Sequence, residues 1–200
     1  WRCARALLVG RFEEAVARAN EGLELTTTVP GPHAFEINGP AAYLGQLLLI
    51  EDTRYGTMPD PDQFEVPRAK FHEVLAWHVA RLQALTRLCR TEDVRTEVEQ
   101  LMARGLPDAD RTGTWLVAIT TLAQAVALLG DRVHAAQLYP KLLSYAQHNV
   151  IISFVACRGS VSRFLGLLAA TLGNHEDAGR HFEDALAMNR RMGALPHVAA

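Results

Sequence analysis

A pattern of small and apolar residues that repeats about every forty residues constrains the fold of this chain more than any other feature. Its anchors are Gly10, Gly130 and Gly173, and Cys89 occupies the same slot in a weaker copy. The last three anchors are 41 and 43 residues apart, and the first two are 79 apart, which leaves room for one hidden unit. The repeated positions five, nine and twelve residues after each anchor are Ala15, Ala19 and Gly22; Val94, Val98 and Leu101; Ala135, Tyr139 and Leu142; and Ala178, Phe182 and Ala185. Self-similarity with this period indicates stacked helix pairs.

Apolar residues recur at three- and four-residue steps, and no segment combines strict alternation with a hairpin-turn dipeptide. The sequence therefore predicts an all-α fold. The predicted helices are Arg2–Val9, Glu13–Leu25, His33–Arg54, Val66–Cys89, Thr91–Arg104, Thr112–Leu129, Arg132–Gln147, Val150–Leu172 and His175–Arg191. Gly10, Gly130 and Gly173 are expected to end helices in the left-handed conformation that glycine adopts at little cost. Pro140 is expected to bend its helix.

The predicted helix Val150–Leu172 carries two unusual features. Five small residues, Gly159, Ser162, Gly166, Ala169 and Gly173, are spaced three or four apart and would let a neighbouring helix approach closely. Arg158 and Arg163 place charges in an otherwise apolar segment, which is costly unless they are paired or face a groove. An ion pair or a stem that reaches solvent is the alternative explanation for both. Asn149 is expected to cap this helix, and Cys157 to be a buried structural thiol.

Composition narrows the functional classes. With 49% apolar and 21% charged residues, the 200 residues suffice for one folded domain. The formal charge is −2 and there is no basic block, so direct nucleic-acid binding is not expected. Three irregularly spaced cysteines favour a reducing, cytoplasmic location over a disulfide framework. No membrane span is expected, because the longest weakly charged run contains two arginines.

The small, glycine, alanine and aromatic positions resemble those of tetratricopeptide-like helical hairpins, with helices longer than the standard unit. Between Leu138 and Pro196 the chain is similar to the C-terminal repeat region of large bacterial signal-transduction ATPases. The matching residues are Tyr145-Ala146, Asn149-Val150, Cys157, Gly159-Ser160-Val161, Arg163 to Ala169, His181-Phe182 and Asn189 to Ala194. The resemblance implies a right-handed solenoid of four to five repeats over residues 1–200, as a fragment of a longer protein. Such proteins often carry a nucleotide-cyclase-like or LuxR-type DNA-binding domain.

The chain departs from this pattern in the hidden repeat. Gly56, Pro59, Pro61 and Pro67 interrupt what would be its second helix. Residues 55–67 are therefore expected to form an irregular Pro-rich loop that replaces part of this repeat.

The motif search favours a non-enzymatic protein. His72-Glu73 and His175-Glu176 begin like the H-E-x-x-H zinc signature, but the next histidines come two positions too late to share a helix face. Phosphate-binding glycine motifs and nucleophile elbows are absent from the sequence. No catalytic residue, metal site or cofactor is therefore expected.

The sequence thus predicts a protein-interaction and regulatory module whose groove binds a protein, a peptide or another domain of the same chain, with homo-oligomers possible through exposed repeat ends. The alternative is a small-molecule sensor that holds an inducer in this groove. The candidate groove residues are Arg158, Arg163, Trp115, Trp77, Tyr145 and Thr114. In the resembling family the first helix of each pair lines the groove.

Overall fold

The helical periodicity of the sequence is realised in a computed structural model, which describes residues 1–28, 33–65, 75–105, 114–152 and 156–199. The α-helices are α1 Arg2–Leu8, α2 Phe12–Thr28, α3 His33–Tyr55, α4 Leu75–Arg87, α5 Thr91–Ala103, α6 Trp115–Leu129, α7 Arg132–Leu143, α8 Val161–Leu172, α9 His175–Met192 and α10 Leu195–Ala199. A 3-10 helix spans Pro61–Phe64, and two strands, β1 Asn149–Ile152 and β2 Ala156–Ser160, form an antiparallel sheet. The described part of the chain is thus mostly helical, as predicted.

Tight turns join four pairs of helices at the repeat anchors. Gly10, Gly130 and Gly173 have φ values of 76°, 63° and 87°, which confirms the left-handed turns predicted there. Cys89 has φ 53° and is the non-glycine residue with positive φ in the described chain. The residues five positions after the anchors, Ala15, Val94, Ala135 and Ala178, are all buried. Equivalent sequence positions therefore have equivalent environments in the four pairs.

The second, third and fourth pairs, α4–α5, α6–α7 and α8–α9, pack on one another in chain order, whereas α1 of the first pair contacts α3, strand β2 and α10. Helix α6 contacts α4 and α5 on one side and α7 and α8 on the other, and α8 also contacts α7 and α9. Apolar side chains of α4 to α8 and Val150 of β1 form one hydrophobic cluster. Those of α1 to α3 form a second cluster with Ala156 of β2, and Ile152 packs against both clusters. The two-stranded sheet therefore joins the two parts of the core.

The predicted single helix Val150–Leu172 is wrong, since only its second half is helical. Asn149 lies in β1 and does not cap a helix, and Cys157 and Arg158 lie in β2. The β-branched run Val150-Ile151-Ile152 favours extended backbone. Helix α8 begins only after Ser160, whose hydroxyl accepts a hydrogen bond from the Ser162 amide at 3.2 Å.

A β-bulge in β2 shapes the sheet. Asn149 pairs with Ser160 and Ile151 pairs with Cys157, so Arg158 and Gly159 together lie opposite one residue of β1. Gly159 has φ 83°, and a Cβ there would lie 3.1 Å from the ring of His197. Both the conformation and the close approach explain the glycine. Gly159 is therefore not part of the predicted small-residue face of a helix.

Other predicted segments are described only in part. The helix predicted over Val66–Cys89 is present from Leu75 to Arg87, and its first residues lie outside the described ranges. In the predicted loop 55–67, α3 ends at Tyr55 and the 3-10 helix follows, while residues 66 and 67 lie outside the described ranges. Pro140 lies inside α7, which ends three residues later, at Leu143, and not at Gln147. None of the described helices is long and apolar enough to cross a bilayer.

Candidate functional site

A cavity of about 120 Å³ lies where the two hydrophobic clusters meet. Helices α1, α3, α4, α6, α8 and α10 and strand β2 all contribute to its wall. The lining residues are Leu7, Leu49, Asp52, Thr53, Gln83, Thr86, Arg87, Thr121, Gln124, Ala156, Cys157, Arg158, Arg163, Pro196 and His197. The lining combines apolar residues with three arginines and one aspartate.

Arg158 is buried in this wall, with 8% of its surface exposed. The bulge in β2 places its side chain against α6, where Nη1 donates to the hydroxyl of Thr121 at 2.7 Å and Nη2 to the amide oxygen of Gln124 at 2.5 Å. The Thr121 hydroxyl in turn donates to the carbonyl of Val117 at 2.9 Å, so its oxygen is oriented to accept. These partners are neutral, and no carboxylate of the described residues forms an ion pair with Arg158.

Arg163 comes from the first turn of α8 and is partly buried. Its guanidinium carbon lies 5.7 Å from the centre of the Phe164 ring, and that of Arg158 lies 5.6 Å from the same ring. Within the described chain, Arg163 forms no hydrogen bond and no ion pair. The ring therefore contacts both guanidinium groups but balances neither charge.

The carboxylate of Asp52 is engaged elsewhere in the wall. Arg87 forms an ion pair with it through Nε and also donates from Nη2 to the Asp52 carbonyl at 3.2 Å. The second carboxylate oxygen accepts from Gln83 at 3.3 Å. Helices α3 and α4 are thereby joined at the cavity, while the other two arginines keep their charge unmatched.

This arrangement changes the acidity of the arginines. Burial lowers the pKa of Arg158 to about 10; Asp52 opposes the shift, and Arg163 and Arg87 add to it. Burial and Arg87 likewise lower the pKa of Arg163. Both side chains are charged at neutral pH, so the cavity has a positive excess in surroundings that screen charge poorly.

Hydrogen bonds link α9, α10 and β2 beside the cavity, where His197 is part of the wall. The buried Asn189 of α9 accepts from the Ser160 amide at 3.1 Å and donates to the His197 carbonyl at 3.0 Å. His197 Nε2 lies 3.0 Å from the Cys157 carbonyl. A carbonyl only accepts, so this nitrogen carries the proton. Burial lowers the pKa of His197, which favours its neutral form.

The structure brings two of the six predicted site residues, Arg158 and Arg163, to this cavity. The other four do not line it. Trp115 is buried in the core with its ring centre 5.0 Å from that of Tyr145. Thr114 precedes α6 without a capping hydrogen bond from its side chain, and Trp77 is a partly buried residue of α4.

Asp52, Arg87, Thr121, Gln124 and His197 were missed by the sequence analysis. They lie on four different helices, and the pairs they form are 31 to 40 residues apart in the chain. The polar positions on the apolar helix α6 are the one signal that points to Thr121 and Gln124. Asp52, Arg87 and His197 carry no distinguishing pattern.

A second buried polar cluster joins α4 to α5. Glu97 accepts from Arg81 at 2.7 Å and lies 3.0 Å from His78 Nδ1, while Arg104 Nη1 lies 3.0 Å from His78 Nε2. Arg104 only donates, so His78 Nε2 accepts and Nδ1 carries the proton toward Glu97. Each side chain in this cluster has a partner of opposite charge or complementary hydrogen-bonding character. The cluster therefore links α4 to α5.

The described residues offer little nucleophilic or metal chemistry. Burial raises the pKa of the Cys157 thiol, whose sulfur accepts from the Gly159 amide at 3.4 Å. A thiol with a raised pKa is a poor nucleophile at neutral pH. Within the described ranges, no three His, Cys, Asp or Glu side chains are placed to hold a metal ion.

Fold and site together define a mostly helical protein, built of helix pairs, with a small and positively charged cavity. A scan against family models finds no match, and searches of curated proteins and of solved structures find none either.

Proposed function

We propose that this chain is a non-catalytic regulatory module of the tetratricopeptide type, and that it senses a small molecule in the Arg158 cavity. Its helix pairs would form a right-handed solenoid of four to five repeats within a bacterial signal-transduction ATPase or LuxR-type regulator. Two features support the solenoid: the four turns with positive φ at equivalent positions, and the packing of α6 against the pairs on both of its sides.

The single observation that carries the sensor function is the position of the cavity. One part of the molecule, α1 to α3, supplies Leu7 and Leu49 to the wall. The other part, α4 to α8, supplies Thr121 and Arg163. A ligand held there would contact both parts at once. Because a ligand shifts an equilibrium by its differential affinity for two states, occupancy of this cavity would favour one relative position of the two parts.

Thermal unfolding with a metabolite library tests this function. A ligand at a hundred times its Kd stabilises the folded chain by about 2.7 kcal/mol. Thr53→Trp places a large ring in the cavity wall, and Tyr55→Trp, on the exposed end of the same helix, is the matched control. We expect at least one compound to stabilise the unmodified chain and Tyr55→Trp but not Thr53→Trp. No stabilisation by any compound would contradict the sensor function.

Protein binding is the second candidate, favoured by exposed apolar side chains at the turns between paired helices. Leu88 precedes the Cys89 turn, and Leu128 and Val133 flank the Gly130 turn. Another domain of the parent protein would cover them. Titration calorimetry between this chain and the remainder of the parent protein tests this, with Val133→Asp expected to weaken binding. Equal binding by Val133→Asp and the unmodified chain would reject this surface.

A further inference from the structure

The polar part of the cavity contains more positive charge than its own carboxylate neutralises. Three arginines and one aspartate line it, and both carboxylate oxygens of Asp52 are engaged by Arg87 and Gln83. Arg158 is bonded to two neutral side chains, and Arg163 makes neither a hydrogen bond nor an ion pair in the described chain. A buried charge is costly unless an opposite charge lies beside it.

Stability alone does not account for this arrangement. An apolar residue at position 158 or 163 would avoid the cost of desolvating a charge, and the two guanidinium groups also repel each other. Burial and the charges of Arg163 and Arg87 lower the pKa of Arg158, and burial and the charge of Arg87 lower the pKa of Arg163. A bound anion would remove both penalties, because a guanidinium donates several N–H bonds in a planar fork that matches a carboxylate or a phosphate.

From this imbalance we infer that the cavity binds a small organic anion whose carboxylate or phosphate group lies against Arg158 and Arg163. This inference rests on the proposal that the cavity is a ligand site, and it adds the class of ligand. The lining also contains Leu7, Leu49 and Pro196, which suit a short apolar portion. The volume of about 120 Å³ limits the ligand to a small molecule.

The test measures thermal unfolding with acetate, succinate and inorganic phosphate, and with succinamide as the neutral analogue of succinate. Sodium chloride keeps the ionic strength constant throughout, because salt screens exposed charges. We expect saturable stabilisation by an anion and none by succinamide. A stronger effect of succinate than of phosphate assigns a carboxylate ligand, and the reverse order assigns a phosphate ester.

Arg163→Gln removes one of the two charges, and Arg180→Gln removes an exposed charge of α9 outside the cavity as the matched control. We expect Arg163→Gln to weaken anion binding about tenfold or more, and Arg180→Gln to leave it unchanged. Arg163→Lys keeps the charge without the planar fork and should fall between the two. If Arg163→Gln does not fold, Thr53→Trp should abolish the stabilisation that Tyr55→Trp retains.

Two results would overturn the inference. Equal stabilisation of Arg163→Gln and Arg180→Gln by every anion would show a general salt effect. Stabilisation by neutral library compounds but by no anion would leave the sensor function standing and reject an anionic ligand. If neither anions nor library compounds stabilise the chain, the proposed function itself fails.

Discussion

Phe182 of α9 lies directly against the backbone of α8 because position 166 is a glycine. A Cβ there would meet the Phe182 ring at 2.5 Å, whereas a Cβ at Gly179, also helical, would meet nothing within 4 Å. We expect Gly166→Ala to lower the free energy of unfolding by about 1–2 kcal/mol, because the ring must move. Gly179→Ala should raise it by up to about 1 kcal/mol through helix propensity. Urea unfolding measures both, and a Gly166→Ala variant as stable as Gly179→Ala would contradict the close packing.

Asn189 is the second residue whose role rests on a few contacts. Its buried amide bonds the Ser160 amide and the His197 carbonyl, so it fixes both β2 and α10. Asn189→Ala would leave these backbone groups without a partner, and we expect a loss of about 2–3 kcal/mol in urea unfolding. Asn174→Ala, at an exposed position without a side-chain cap, should change the value by less than about 0.5 kcal/mol. Similar values for the two variants would exclude a structural role of the Asn189 amide.

For Arg158 and Arg163, a residue-level argument leads to a buried or cavity position, and both residues line the cavity. A charge in an apolar segment must find a partner or a cavity, and this reasoning needs no knowledge of the fold. The aromatic candidates Trp115 and Tyr145 were chosen without such a constraint, and the structure places Trp115 in the core with Tyr145 packed against it. Asp52 and Arg87 are exposed-helix residues in the sequence pattern, and only the fold, which brings the ends of α3 and α4 together at the cavity, makes them neighbours.

At the scale of elements, the turns of the repeat depend on backbone conformation. Cys89 has an exposed side chain and a left-handed backbone, which costs a non-glycine residue roughly 1–2 kcal/mol. Cys89→Gly should therefore raise the free energy of unfolding by up to about 1 kcal/mol, after the larger unfolded-state entropy of glycine is subtracted. Gly130→Ala is the converse change at an equivalent turn, where a Cβ meets nothing within 4 Å, and should lower it by about 1 kcal/mol. Thermal unfolding measures both variants. If Cys89→Gly and Gly130→Ala shift the stability in the same direction, the turns at Cys89 and Gly130 are not equivalent.

The sheet is the element that sequence reasoning missed. Helix pairs repeat, so their period and their glycines are visible along the chain, but the segment from Asn149 to Ser160 occurs once. Its apolar residues are consistent with a buried helix as well as with a buried strand. Three consecutive β-branched residues and a glycine were the available signals for a strand, and the left-handed conformation of Gly159 shows why a helix cannot continue through that position.

At the scale of the whole molecule, the sheet lies between the two hydrophobic clusters. Val150 belongs to the cluster of α4 to α8, and Ala156 belongs to that of α1 to α3. Strand β2 of this sheet also supplies Arg158 to the cavity. The sheet therefore both connects the clusters and forms part of the candidate ligand site. A change that loosens the sheet should therefore affect both the stability of the chain and binding in the cavity.

Acid should loosen this connection through His197. Burial lowers its pKa in the folded chain below the ordinary 6.5, and Arg158 and Arg163 act in the same direction. The unfolded chain therefore binds a proton that the folded chain does not. The contribution of this group to the free energy of unfolding is fully present above pH 6.5 and falls as the pH drops below it, by at most about 1.4 kcal/mol per pH unit.

Urea unfolding at pH 7.5 and 5.5 measures the difference. His197→Gln, which retains a hydrogen-bond donor, should reduce the loss of stability between these pH values. Burial also lowers the pKa of His181, so its part of the loss should remain until His181→Gln is added. Equal pH dependence in His197→Gln and the unmodified chain would show that this histidine does not control the connection.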